Sequence, residues 1–114
     1  MVPRRKKQVV DPPHRCALGE CMAMIGGAWT PNVIWYLSQG PRRYSELKSD
    51  LTGISSKTLS LRLKQLEANK LISRVVMATS PPTVEYSLTE LGLELKPAID
   101  AIVSVGLRLK ERQE

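Results

Sequence analysis

The stretch from Pro41 to Leu88 limits the fold of this chain most strongly, because it holds two short helical patterns, a sharp turn and two strand patterns in succession. The first helical pattern runs from Tyr44 to Leu51, and the Thr-Gly-Ile sequence at 52–54 interrupts it with the glycine that a tight turn favours. A second helical pattern begins at Ser55 or Ser56. Two helices joined by a turn of about three residues have the spacing of a helix-turn-helix, whose second helix, here about 55–68, lies in the major groove of DNA.

Two strand patterns follow this second helix. Leu71 to Met77 is rich in β-branched residues, and Val84 to Leu88 alternates apolar and polar side chains with a period of two. The segment 78–83 between them predicts the tip of a hairpin. A hairpin over about 72–88 that follows a recognition helix is typical of a wing. The sequence therefore predicts a mainly α fold with a small β-hairpin wing, a winged helix-turn-helix.

Helical patterns also occupy both ends of the domain. Between Cys16 and Ile25, apolar side chains at spacings of three and four predict one buried stripe that ends at Gly26 and Gly27; they are Leu18, Cys21, Met22 and Ile25. A last helix is predicted to begin at Thr89 as its N-cap and to continue to Leu107, with a bend at Pro97. These terminal helices carry more apolar surface than one small core can cover. We expect them to pair with the same helices of a second chain and form a homodimer interface.

Another helix is predicted to start with Thr30 as its N-cap and Pro31 at its first position, where the missing N–H removes no hydrogen bond. Val33, Ile34 and Leu37 would anchor it in the core, together with Trp35.

The second helix of the pair carries most of the candidate site residues. Leu59, Leu63 and Leu66 share one face, which should pack into the core. The candidate DNA-binding residues lie at its start and on the opposite face: Ser55, Ser56, Lys57, Ser60, Leu61 and Lys64. The lysines would contact phosphates, and Leu61 would suit a thymine methyl group. The alternative interpretation is an ordinary amphipathic helix with a solvated polar face.

Four further residues are candidates for contacts that position the duplex. Arg42 and Arg43 precede the first helix of the pair, and the Tyr44 hydroxyl could donate to a phosphate oxygen. Arg74 on the first strand could reach the DNA backbone near the wing. A solvated basic loop, with Tyr44 as a core aromatic, is the equal alternative.

The charge of the chain is uneven. Of the formal net charge of +6, residues 1–15 contribute +4, residues 16–88 contribute +3 and residues 89–114 contribute −1. The first segment, with Arg4 to Lys7, is expected to be a basic mobile arm, and 16–114 one folded domain. Positive charge on the arm and the helix-turn-helix suits double-stranded DNA as a partner. An acidic protein is the alternative partner, and it would make the chain a winged-helix interaction module without specific DNA binding.

Enzymatic and metal-binding functions find little support in these residues. The only histidine and the two cysteines, His14, Cys16 and Cys21, have no recognised metal spacing, and we expect no metal and no cofactor. Two closely spaced cysteines suit a reducing cytoplasm, and no apolar run is long enough to cross a bilayer.

Cys16 follows His14 and Arg15 at a predicted helix start, where a thiolate would be stabilised. It is a candidate redox-sensing thiol, although an unreactive thiol is at least as well supported, and a small thiol enzyme is a remote alternative.

Several segments together resemble the HxlR family of bacterial regulators. They are Ile25-Gly26-Gly27-Ala28-Trp29-Thr30, Gly40-Pro41-Arg42-Arg43-Tyr44-Ser45-Glu46-Leu47, Gly53-Ile54-Ser55, the stretch Leu63 to Glu67, and Pro81-Pro82-Thr83-Val84-Glu85-Tyr86-Ser87-Leu88-Thr89. The resemblance runs from Cys16 to about Leu107. It implies a homodimeric winged-helix transcription factor related to the MarR type, without enzymatic activity.

The resemblance also bears on regulation. The family's N-terminal cysteine falls on Cys16, and in several members that thiol responds to quinones, aldehydes or oxidants. A small-molecule or electrophile effector is therefore expected. A two-fold dimer would place its recognition helices on a palindromic operator with half-sites about 10 base pairs, or a multiple, apart.

Overall fold

The computed structural model of the protein describes residues 17–113. The expected arm at 1–15 and the candidate thiol Cys16 lie outside the described residues. Between 17 and 113 the chain forms six helices and one three-stranded sheet, in the order α1 Ala17–Ile25, α2 Thr30–Leu37, β1 Arg42–Arg43, α3 Tyr44–Asp50, α4 Ser56–Ala68, β2 Ile72–Met77, β3 Thr83–Leu88, α5 Glu90–Glu94 and α6 Lys96–Gln113.

The predicted helix pair is present with almost the predicted bounds. Helix α3 ends at Asp50, and the turn passes through Gly53 with a φ of 96°, a conformation that glycine adopts without strain. Helix α4 begins at Ser56, and the hydroxyl oxygen of Ser55 accepts a hydrogen bond of 3.0 Å from the backbone N–H of Thr58. This N-cap satisfies one of the free donors of the first helical turn. The helix-turn-helix prediction is confirmed.

The wing is a hairpin of β2 and β3, as predicted, but a short third strand extends it. The strand order is β1-β3-β2, all antiparallel, with Arg42 and Arg74 both opposite Tyr86. The alternative interpretation of Arg42 and Arg43 as part of a solvated loop is therefore wrong, because they form a strand. Two residues are too few to give a strand pattern in sequence, and only pairing with β3 defines them as a strand.

One apolar core joins the helices to the base of the wing. Its most fully buried side chains come from α2, α3 and the residue after it, α4, and the residue before β2, and they are Val33, Ile34, Leu47, Leu51, Leu59, Leu66 and Leu71. The three leucines predicted for the inner face of α4, Leu59, Leu63 and Leu66, are all buried. The core fixes α4 on its inner side and leaves its outer side to solvent.

The predicted buried stripe of α1 is not buried in the single chain. Leu18 is 78% exposed and Met22 is 52% exposed, whereas only Ile25 of this helix is buried. The periodicity of the stripe was interpreted correctly as one helical face. The Leu18 and Met22 positions of that face have no partner within the described part of their own chain, whereas Ile25 is in the core and Cys21 is half-buried.

Helix α2 starts differently from the prediction. Trp29, not Thr30, occupies the N-cap position, with a φ of 76°, and its carbonyl accepts a hydrogen bond of 3.0 Å from the N–H of Val33. Thr30 is the first helical residue and is buried at 4% exposure. The prediction was wrong by one residue, because a tryptophan in a left-handed conformation leaves no signal in sequence.

The predicted last helix is divided in two. Thr89 is its N-cap, as predicted, and its hydroxyl accepts a hydrogen bond of 3.1 Å from the N–H of Gly92. Helix α5 ends at Glu94, and α6 begins at Lys96 with Pro97 in its first turn. Proline is tolerated in the first turn of a helix, but it disfavours the helical conformation in the residue before it. The chain therefore has a break between α5 and α6 in place of the predicted bend. No helix between residues 17 and 113, α6 included, is long and apolar enough to cross a bilayer.

Candidate nucleic-acid interface

Helix α4 presents its predicted polar face to solvent. Ser56, Lys57 and Lys64 are exposed, and Ser60 is half-buried. Leu61 lies among them and is 47% exposed. A row of hydroxyl, ammonium and isobutyl groups offers a duplex both phosphate partners and a contact for a thymine methyl group.

A groove beside α4 brings four of the predicted residues together. This groove lies between α4 and the wing and has a volume of about 200 Å³. A second, more open groove of about 560 Å³ lies near α3. The smaller groove is lined by Tyr44, Ser60, Leu63, Lys64, Glu67, Arg74 and Tyr86. Two cationic side chains and one carboxylate therefore share one groove at the flank of the helix. This local excess of positive charge suits a phosphate group of a duplex backbone.

Tyr44 connects α3 to α4. Its hydroxyl donates a hydrogen bond of 3.0 Å to the carbonyl oxygen of Ser56 and lies 3.3 Å from the hydroxyl oxygen of Ser60. Its ring packs against the core. The contact holds the first turn of α4 at a fixed place beside the groove.

The two arginines of β1 have different surroundings. Arg42 donates hydrogen bonds from one guanidinium nitrogen to the carbonyl oxygens of Gly40 at 3.1 Å and Pro41 at 2.9 Å, and it lies 3.7 Å from a carboxylate oxygen of Asp50. Its side chain is thus turned toward the body of the protein. Arg43 is exposed, and its backbone N–H donates a hydrogen bond of 2.8 Å to a carboxylate oxygen of Glu46.

Ser55 has a role within the helix start. Besides capping α4, its hydroxyl donates a hydrogen bond of 2.9 Å to the Oγ1 atom of Thr58. These bonds set the direction in which α4 leaves the turn.

One polar residue of α4 escaped the prediction. Arg62 lies on neither the leucine face nor the predicted DNA face, and its Nε atom donates a hydrogen bond of 2.8 Å to the carbonyl oxygen of Ala28. The two residues are 34 positions apart in the sequence. A contact at that separation depends on tertiary packing, and no local pattern indicates it.

Comparison with known proteins agrees with this geometry. Residues 24–114 match a protein family described as HxlR-like helix-turn-helix. The uncharacterized HTH-type transcriptional regulator YkvN of Bacillus subtilis (strain 168) is 42% identical over 91 residues, which are 80% of this chain and 77% of that protein. This relative is thus named as a transcriptional regulator.

Two solved structures extend the likeness to the fold. The redox regulator HypR in its oxidized form has a TM-score of 0.78 at 32% identity, covering 82% of this chain and 96% of that one. The reduced form of the transcriptional regulator YodB from B. subtilis has a TM-score of 0.71 at 32% identity, covering 76% of this chain and 85% of that one. The predicted winged-helix fold is confirmed, and the protein is a DNA-binding transcriptional regulator. By its sequence match and its fold, this chain belongs to the HxlR-like helix-turn-helix family.

Proposed function

We propose that the protein acts as a homodimer on a palindromic operator, with α4 of each chain in the major groove and the wing beside the flanking backbone. The observation that carries the proposal is the exposed row on α4, Ser56, Lys57, Leu61 and Lys64, next to the groove that also holds Arg74. In a helix-turn-helix the second helix contacts base edges while its surroundings contact phosphates.

We assign roles to the side chains according to where they lie on α4, on β1 and on the wing. Lys57 and Lys64 bind phosphates, Ser56 and Ser60 reach base edges or phosphates, and Leu61 contacts a thymine methyl group. Arg74 and Arg43 contribute further phosphate contacts from the wing and from β1. Arg42, which is turned toward Asp50, orients α3 and adds positive potential.

The exposed apolar residues of the terminal helices α1 and α6 are the argument for the proposed homodimer. On α6, residues 101–113 are all exposed, and five of them are large and apolar: Ile102, Val103, Val105, Leu107 and Leu109. Leu18 and Met22 of α1 are exposed as well. Exposed apolar side chains on α1 and along α6 favour an interface between proteins, and a second copy of the chain offers the same surface in return.

Regulation would act on the distance between the two recognition helices. A ligand or a modified thiol at the dimer interface would alter the way in which the two chains pack. Cys16 directly precedes α1, and two structural neighbours, HypR and YodB, were solved in oxidized, reduced or diamide-treated forms. We propose Cys16 as the thiol that responds to an electrophile or oxidant in the cytoplasm.

Selection from random duplexes tests the proposal. The purified protein is incubated with a random DNA library, and the bound fragments are sequenced. We expect a palindrome with half-sites about 10 base pairs, or a multiple, apart, and an affinity that falls steeply with salt. Recovery of no common sequence would favour the alternative, a winged-helix module whose basic face binds an acidic protein.

A further inference from the structure

The side chain of Arg62 crosses from the recognition helix to the connection between α1 and α2. Its Nε atom donates a hydrogen bond of 2.8 Å to the Ala28 carbonyl, and its Nη1 atom donates one of 3.0 Å to the side-chain oxygen of Gln65. The residue is half-buried. Two of its guanidinium nitrogens are thus already bonded within the protein, on a flank of α4 that is not the groove flank.

The connection that receives this bond has a fixed shape. Gly27 has a φ of 90° and Trp29 a φ of 76°, so both neighbours of Ala28 are left-handed. Such a conformation is unfavourable for tryptophan and persists only where the surroundings determine it. The connection is also tight at its start, because a Cβ atom on Gly26 would lie 2.5 Å from the carbonyl oxygen of Met22. The Ala28 carbonyl therefore points in one direction, toward Arg62.

The guanidinium group lies directly over this connection. A Cβ atom placed on Gly27 would be 3.5 Å from the Cζ atom of Arg62. The apolar contacts of Leu59, Leu63 and Leu66 hold α4 to the core, but apolar contacts have little directionality. Hydrogen bonds are directional. The bond from Arg62 on one flank and the bond from Tyr44 on the other thus fix how α4 is turned and placed along its own axis.

We infer that Arg62 is a positioning residue for DNA binding: it fixes the recognition helix relative to α1 and thereby sets the spacing between the two half-sites of the operator. The inference rests on the proposed function, in which α1 belongs to the dimer interface and α4 reads the half-site. The dimer interface and the DNA-reading surface are then connected by the hydrogen bond from the Arg62 side chain to the Ala28 carbonyl. Loss of the bond leaves each α4 able to read its half-site but allows it to shift relative to its partner.

A spacing assay tests the inference. Two half-sites taken from the selected operator are placed at the best spacing and at spacings one base pair shorter and longer, which rotates one half-site by about 35°. Affinities are measured by fluorescence anisotropy for the wild-type protein, Arg62→Gln and Arg62→Met. The methionine variant keeps a long aliphatic chain without a donor, and thermal unfolding establishes that each variant is folded at the assay temperature.

We expect the wild-type protein to prefer the best spacing by about tenfold, as for a mismatched contact, and both Arg62 variants to prefer it by about twofold or less. The base preference within each half-site should stay the same. Two controls should keep the tenfold preference. Gln65→Ala removes the other partner of Arg62, and Lys70→Gln removes one positive charge beyond the end of α4.

The outcomes separate the two proposals. If the wild-type protein shows no palindrome or no preferred spacing, the proposed function fails. If the wild-type protein has a preferred spacing and the folded Arg62 variants keep the same tenfold preference, the role of Arg62 is overturned. A uniform loss of affinity at every spacing also overturns it, because it would make Arg62 an ordinary phosphate contact.

Discussion

Tyr44 could serve the protein in two ways, as a phosphate donor or as a support for α4, and its hydrogen bonds favour the second. A phenol has one proton, and here it is directed to the Ser56 carbonyl at 3.0 Å. Since a phosphate oxygen can only accept, DNA binding through Tyr44 would require that bond to break. The hydroxyl of Tyr44 therefore supports the first turn of α4 and is not itself a phosphate contact.

Replacing Tyr44 with phenylalanine separates these roles. We expect Tyr44→Phe to lower the free energy of unfolding by about 1 kcal/mol, because the Ser56 carbonyl loses its partner. Affinity for the operator should change by less than about threefold, which corresponds to well under one kcal/mol. Urea unfolding and anisotropy titration measure the two quantities. A variant of unchanged stability that loses most of its DNA affinity would instead make the hydroxyl a phosphate donor.

Leu61 gives a prediction about sequence reading. With 47% of its side chain exposed on α4, it contributes little to the core, so Leu61→Ala should leave stability within about 0.5 kcal/mol of the wild-type value. The variant should lose preference for thymine at one position in each half-site, by about 1 kcal/mol. Repeating the DNA selection with this variant measures the preference. An unchanged operator sequence would mean that Leu61 does not face a base.

The residue after the C-cap of α4, Lys70, has a left-handed backbone conformation, and its replacement should stabilise the protein. The N–H of Leu71 donates to the Leu66 carbonyl and the N–H of Lys70 to the Glu67 carbonyl, both at 2.9 Å, which is the bonding of a Schellman motif. Lys70 has a φ of 61° at the position where glycine is usual. We expect Lys70→Gly to raise the free energy of unfolding by about 1 kcal/mol, and Lys70→Ala to give no gain. A chemical denaturation curve for each variant measures this; equal stability of both would show that the left-handed residue is not strained.

Local signals made α3, α4 and the wing predictable from sequence. A capping hydroxyl at Ser55, a glycine in the turn at Gly53 and a strict apolar period are each properties of a few adjacent residues. The start of α2 and the strand β1 were not predictable, since Trp29 owes its left-handed conformation to packing and β1 exists only by pairing with β3. For the same reason the sequence indicated the lysines of α4 as site residues but gave no sign of Arg62.

The exposed apolar face of α6 gives a prediction about the oligomeric state of the protein. Leu107 is 59% exposed in the single chain, so replacing it with aspartate should leave the fold intact. If α6 pairs with a second copy, Leu107→Asp places a charge in an apolar interface and should weaken the dimer by about a hundredfold or more.

Arg108→Asp is the matched control, because it places aspartate on the same exposed helix at a position that is already polar. Sedimentation velocity at micromolar protein concentrations measures the assembly. A Leu107→Asp protein that sediments as a dimer like the wild-type protein would move the interface away from this face of α6.

The salt dependence of operator binding for a Lys57→Ala/Lys64→Ala variant tests whether the outer face of α4 binds DNA. Each lysine that neutralises a phosphate contributes about one unit to the slope of log affinity against log salt. We predict that the double variant binds at least about tenfold more weakly and has a slope smaller by about two, whereas Lys110→Ala on α6 matches the wild-type protein. A double variant with wild-type affinity and slope would contradict the account.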